Sequence, residues 1–243
     1  DTPGYADFDG RLSAALQAVE MGLVVVDSVS GVEVGTEIAW QALDRAGLPR
    51  AVVINRMDRD NARWERVLEE LRATFDARFV PLQLPMGTAG AFSGIYRLIG
   101  QTASIGPEGK PGDVPAEILA QAETLREAIV EAAAESDDEL LMKFFDGVAL
   151  TPDEIRHGLV EGAKRGKYVP VFFTAATKAL GVDALLNSLL TVCPAPTDVP
   201  ARTAVAVQGG AEAEVACDPG GPLVAQVFKT VADQFVGKLQ YVR

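Results

Sequence analysis

The chain has 243 residues, 48% of them apolar, with 22 Lys and Arg against 34 Asp and Glu, for a net charge of −12. That length suits one large α/β domain or two smaller ones, and no apolar run reaches the ~18 residues of a membrane-spanning helix. The acidic balance argues against direct nucleic-acid binding through a broad basic surface, while Cys193 and Cys217, with no CxxC spacing, read as free thiols of a cytoplasmic protein rather than half a zinc site.

Asp1-Thr2-Pro3-Gly4 opens the chain with the pattern D-x-x-G. A glycine suits that pattern because its amide must approach a phosphate closely, with no Cβ in the way. Four such residues also make an ordinary turn, so their weight depends on the company they keep further along the chain. Phe8, Leu12, Ala15, Leu16 and Val19 give residues 8–20 one apolar helical face. Leu23-Val24-Val25-Val26-Asp27 has the β-branched run of a strand buried on both faces. Residues 33–46 predict a second amphipathic helix, stopped by Gly47 and Pro49. Ala51-Val52-Val53-Ile54 is another buried strand, leaving through Asn55-Arg56-Met57-Asp58, and a helix succeeds it over about 62–75. The βαβα order predicts an α/β fold with a doubly wound parallel sheet.

In open α/β sheets ligands bind beyond the carboxyl ends of the strands, where Asn55 and Asp58 stand. Their spacing is that of N-K-x-D, the guanine-recognition motif of GTPases, with Arg56 in the lysine position. A carboxylate at Asp58 can accept two hydrogen bonds from guanine, from N1–H and the exocyclic amine. Adenine offers no such donor pair, and a site built on hydrogen bonds rejects a base lacking them by roughly 10⁴-fold. The bland alternative is a polar strand exit, since Asn and Asp are ordinary turn and N-cap residues. The D-x-x-G upstream, with a strand between, favours the nucleotide.

Helix 115–135 carries Ile118, Ala122, Leu125, Ile129 and Ala132 on one stripe. Glu123, Glu127, Glu131 and Glu135 repeat at i, i+4 on the other side, where like charges cost about 0.2–0.5 kcal/mol per pair. That side is either a solvated face or a docking face for a basic partner. Thr151-Pro152-Asp153-Glu154 is a capping box with proline in the first turn of another helix. Residues 106–111, Gly-Pro-Glu-Gly-Lys-Pro, place a proline where a phosphate loop needs a hydroxyl, and they read as a surface turn. His157, the only histidine, falls on a surface helix and is not a catalytic candidate. The stretch 201–220, rich in Ala, Gly and Val, has no period and predicts a loose linker.

D-T-P-G-x-x-D-F at 1–8, G-V-E-x-x-T-E-x-x-W at 31–40 and N-R-M-D-R at 55–59 together resemble the G domain of elongation factor G. Residues 81–87 with 92–95 resemble the start of the subdomain that this family inserts into its G domain. Residues 169–176 resemble its last strand and G-S-A loop, 181–186 the helix after them, and the proline-rich 194–200 its exit linker. The resemblance implies a P-loop GTPase-type sheet with a partial G domain at 1–76 and a mostly helical insert at 77–167. The end of the G domain and its linker then occupy 168–200, a loose linker 201–221, and the truncated first hairpin of a β-barrel domain 222–243. It implies GTP or GDP with Mg²⁺ as cofactors. Asp1 would reach Mg²⁺ through a water, and Gly4 would lie at the γ-phosphate. Asn55, Arg56 and Asp58 would hold guanine, and the Ala175-Ala176 loop would offer the Ala176 N–H to guanine O6. Implied partners are the ribosome and the C-terminal domain of its stalk protein, the latter on Glu123, Glu127 and Glu131.

Several residues depart from that pattern. G-x-x-x-x-G-K-[ST] and the first switch region do not occur in the sequence, and there is no initiator methionine or signal peptide. The chain is therefore expected to begin inside a G domain, these residues alone are expected not to hydrolyse GTP, and Leu23-Val24-Val25-Val26, without the strands that lie beside it in the family, is expected to be an open sheet edge. Tyr5 stands where the family has the histidine that orients the attacking water, as in the branch called elongation factor G-like, and Ala175 replaces the serine of the G-S-A loop. A ribosomal protection or release-type factor of the same superfamily would share these motifs. A non-hydrolysing module that holds guanine nucleotide or the stalk protein, or an unrelated nucleotide-binding enzyme, are the other readings.

Overall fold

The computed structural model describes Thr2, Gly4 and residues 9–243. Two compact units emerge, one of residues 21–193 and one of residues 1–20 with 194–243. Helix α1 (Asp9–Leu16) belongs to the smaller unit. It ends earlier than its apolar pattern predicts, because the N–H groups of Gln17 and Ala18 close tighter turns onto Ala14 and Ala15.

The larger unit begins β1 (Gly22–Asp27), α2 (Val34–Ala46), β2 (Arg50–Asn55), α3 (Trp64–Thr74) and β3 (Phe79–Pro81). Three short strands come next, β4 (Gln83–Met86), β5 (Gly94–Arg97) and β6 (Thr102–Ile105). Then come α4 (Ala116–Ala134), α5 (Asp138–Phe145), α6 (Pro152–Lys164), β7 (Val169–Phe173) and α7 (Val182–Val192). The main sheet is wholly parallel, in the order β1-β2-β7-β3. Its centre is as apolar as the pattern requires, with Val52, Ile54, Val171, Phe172 and Phe173 fully buried. Each such side chain contributes roughly 1.5–3 kcal/mol by leaving water. Helix α2 stops where expected: Gly47 takes a left-handed φ of 64° and its N–H returns to the Asp44 carbonyl.

Strand β1 lies at the end of the sheet, the open edge expected of residues 23–26. Val24 and Val26 are covered, while Leu23 and Val25 stay 43% and 58% exposed. The insert does not begin at 77, because residues 79–81 pair with 169–171 inside the main sheet. It is mostly helical, in α4, α5 and α6, with β4, β5 and β6 forming a small antiparallel sheet ahead of them. Strands of three or four residues are too short to show a period. Helix α5 has no counterpart among the elements expected from the sequence; the Asp137 carboxylate caps it by accepting from the Glu139 and Leu140 amides.

The stripe predicted for α4 does face inward at Ala122, Ile129 and Ala132. Helices α4 and α6 approach closely at Gly158, where a Cβ would stand 2.3 Å from the Ala133 carbonyl oxygen. The capping box at Thr151 and Glu154 forms reciprocally, as predicted. In the smaller unit the stretch expected as a loose linker is instead a hairpin of β8 (Arg202–Val205) and β9 (Glu212–Val215), joined through Gly209 and Gly210. Nearly all of its side chains are exposed, so no buried face marked it in the sequence. A second hairpin pairs β10 (Val227–Asp233) with β11 (Gly237–Val242).

Candidate nucleotide-base site

β1, β2 and β7 end side by side, with Asp27 level with Asn55 and Ile54 level with Phe173. Beyond those ends two turns meet. The first leaves β2 through Arg56, whose φ of 62° is left-handed and uncommon for a non-glycine. It is held from the β1 side. The buried Ser28 donates its N–H to the Asn55 carbonyl (3.0 Å) and its hydroxyl to the Arg56 carbonyl (2.8 Å). The Arg56 guanidinium lies 2.8 Å from the Asp27 carboxylate. Burial raises the Asp27 pKa, but the amides of Val29 and Ser30 and the Arg56 charge outweigh it, so the net shift is downward.

The second turn leaves β7 at Thr174. Asn55 joins the two, since its Oδ1 accepts from the Thr174 hydroxyl (3.0 Å) and from the Ala176 N–H (3.1 Å). With both contacts being donors, the network assigns the oxygen to that side and leaves the Asn55 amide nitrogen as a donor for a ligand. The Met57 N–H donates to the Thr174 carbonyl (3.1 Å), and the Met57 carbonyl accepts the Ala89 N–H (2.9 Å) from the loop before β5. The turn after β2 therefore also touches the insert. Asp58 closes the group: its side chain is only 10% exposed, and the Lys178 ammonium lies 3.1 Å from its carboxylate.

Asn55, Arg56, Asp58, Ala175 and Ala176 thus come together on two adjoining turns. Ala175 is buried, so its methyl packs inward. The Ala176 N–H, expected to face a guanine oxygen, is engaged by Asn55 in this structure. Gly4 is an exposed residue of the smaller unit, while Asp1 and Tyr5 lie outside the described residues. Glu123, Glu127 and Glu131 all lie on the exposed side of α4. Glu131 is already paired with Arg78 at 2.8 Å, and Arg78 also bonds Glu135, so the acidic row is partly neutralised. A groove of about 710 Å³ runs past Glu123, Glu127, Val130 and Phe144.

Sequence reasoning missed Asp27, Ser28, Thr174 and Lys178. The polar ends of two apolar strands, Val-Val-Val-Asp and Val-Val-Ile-Asn, were a signal for Asp27. Lys178, two residues beyond Ala176, had none until the second turn was seen against Asp58. A cleft of about 630 Å³ at the opposite ends of the strands is lined by Trp40, Arg50, Phe75 and Tyr168. There Arg50 stacks 4.4 Å over Trp40 and bonds Asp44 at 2.5 Å, so its charge is already spent within the fold.

Residues 1–195 match the model of the family described as the elongation factor Tu GTP binding domain. A crystal structure of a Thermus thermophilus protein is similar to the chain with a TM-score of 0.84 and 32% identity. That similarity covers 100% of this chain and 34% of the other, so the chain spans about a third of that protein's length.

Proposed function

The chain belongs to the elongation factor Tu GTP-binding domain family, and from that premise we propose that it is the guanine-recognising part of a translational GTPase of the elongation factor G type. The observation that carries this reading is the joining of Asn55 and Asp58 to the 174–178 turn. Donor and acceptor there match a guanine edge. The Asp58 carboxylate accepts N1–H and the exocyclic amine, and the Asn55 amide nitrogen donates to a ring nitrogen. GTP and GDP would be the ligands, with Gly4 at the phosphates and Asp1 reaching Mg²⁺ through a water. Mg²⁺ would offset the charge developing on the transferred phosphoryl group. These 243 residues, which contain no G-x-x-x-x-G-K-[ST] segment, would not hydrolyse GTP by themselves. In the whole protein, hydrolysis would switch loop order and drive a conformational step on the ribosome.

The elongation factor G assignment draws on the insert. Glu123 and Glu127 flank a groove that Phe144 lines, and Met142 and Phe145 stand exposed nearby on α5. Acidic and apolar groups side by side suit a basic, partly apolar partner, which we take to be the C-terminal domain of the ribosomal stalk protein. The hydrogen bond from Ala89 to Met57 supports communication between insert and base turn.

Titration calorimetry on the full-length protein tests the base assignment. GTP and GDP should bind in preference to ATP, and Asp58→Asn should weaken GDP while admitting the xanthine nucleotide. Equal affinity for ATP and GTP would remove the role given to Asp58.

A further inference from the structure

We propose that Lys178 is a positioning residue for the base, holding the Asp58 carboxylate in the orientation that receives both guanine donors at once. The proposal rests on the guanine reading above and adds to it a residue that this reading does not need.

Among the described residues, Lys178 is the one group that pairs with the Asp58 carboxylate. Arg56, the other cation of the turn, is committed to Asp27. Without an anchor, the terminal torsion of an aspartate is broad and roughly two-fold. Guanine, however, presents two donors in one plane, and a carboxylate turned out of that plane receives only one of them well. An ionised carboxylate offers about four lone-pair sites. Lys178 takes one on Oδ2, which leaves a site on Oδ2 and those on Oδ1 for the base. The ion pair and the base can therefore coexist on the same side chain.

The ammonium is itself delivered by a fixed loop. Ala176–Lys178 is a single 3₁₀ turn, with the Lys178 N–H on the Ala175 carbonyl (3.0 Å) and the Ala179 N–H on the Ala176 carbonyl (3.0 Å). Ala175 and Leu180 exchange backbone hydrogen bonds across its base. Its first residue is tied to Asn55 through the Ala176 N–H. The two turns are thus joined at three places, by the Asn55 amide, by the Met57 N–H on the Thr174 carbonyl and by the Asp58–Lys178 pair. Lys178 is 56% exposed, so solvent screens the pair and its effect is modest.

The test measures GDP and IDP affinities of the full-length protein. Inosine lacks the exocyclic amine and offers Asp58 a single donor. Lys178→Gln should lower GDP affinity about two- to fivefold, the range of an exposed ion pair, and IDP affinity by less. Lys178→Arg should restore the ratio. In an Asp58→Ala background, with no carboxylate left to orient, Lys178→Gln should leave the residual GDP affinity unchanged. The proposal is overturned if Lys178→Gln binds GDP as well as the parent or better. It is equally overturned if the loss persists in the Asp58→Ala background, since Lys178 would then act through its own contact with the nucleotide. A parent protein with no guanine preference would strike the underlying reading instead, and this proposal with it.

Discussion

Asn55→Ala probes the joint between the two turns. The alanine removes an oxygen that accepts two hydrogen bonds. Each contributes about 1 kcal/mol net. The Ala176 amide is exposed and can turn to water, but Thr174 is almost fully buried, and its stranded hydroxyl adds a desolvation cost of about 1 kcal/mol or more. The expected loss is about 2–3 kcal/mol, which for a unit of this size lowers the melting temperature by roughly 5–10 °C. Asn55→Asp keeps an acceptor and should cost less. Thr174→Val removes one of the two donors and should cost about 1 kcal/mol. Because both changes break the same bond, the double variant should lose less than the sum of the singles. Thermal unfolding measured by circular dichroism reads the four variants against the parent. A melting temperature for Asn55→Ala within about 1 °C of the parent, or strict additivity in the double variant, would refute the joint.

Three further outcomes are expected. Replacing Glu123, Glu127 and Glu131 with Gln should slow association with the stalk domain and flatten its salt dependence, since exposed charges are screened beyond about 8 Å at physiological ionic strength; the melting temperature should hardly change because Glu135 still pairs with Arg78, and an unchanged association rate would leave only a solvated face. The Lys143 hydrogen bond, then those from Thr151, lowers the Glu154 pKa to about 2. A carboxyl depressed on folding contributes stability above its ordinary range near 4.5 and loses it as pH falls toward 2. Lys143→Met should therefore move acid unfolding to higher pH, and an unmoved midpoint would count against the pairing. A polypeptide of these 243 residues alone should self-associate through β1, whose outer edge has no strand partner among the described residues and whose Leu23 and Val25 are exposed. Sedimentation over a wide concentration range would show it, and a monomer with slow amide exchange at residues 23–27 would mean that something covers the edge.

What the amino-acid order determined by itself was the local physics. The apolar run of β2 and its polar exit, the glycine that ends α2, the stripe of α4 and the capping box of α6 all depend on residues within a few positions of one another. They could be read because helix period, strand burial and cap chemistry act at short range. Asn55 and Asp58 were legible for the same reason, being a motif within one turn. Tertiary structure decided the rest. It placed Phe79–Pro81 beside β7 in the main sheet. It brought Thr174 and Ala176 onto Asn55 across 119 and 121 positions of chain, and Lys178 onto Asp58. An isolated lysine carries no trace of the carboxylate it will meet, because the distance between them is set by the register of β2 against β7 and not by either turn alone.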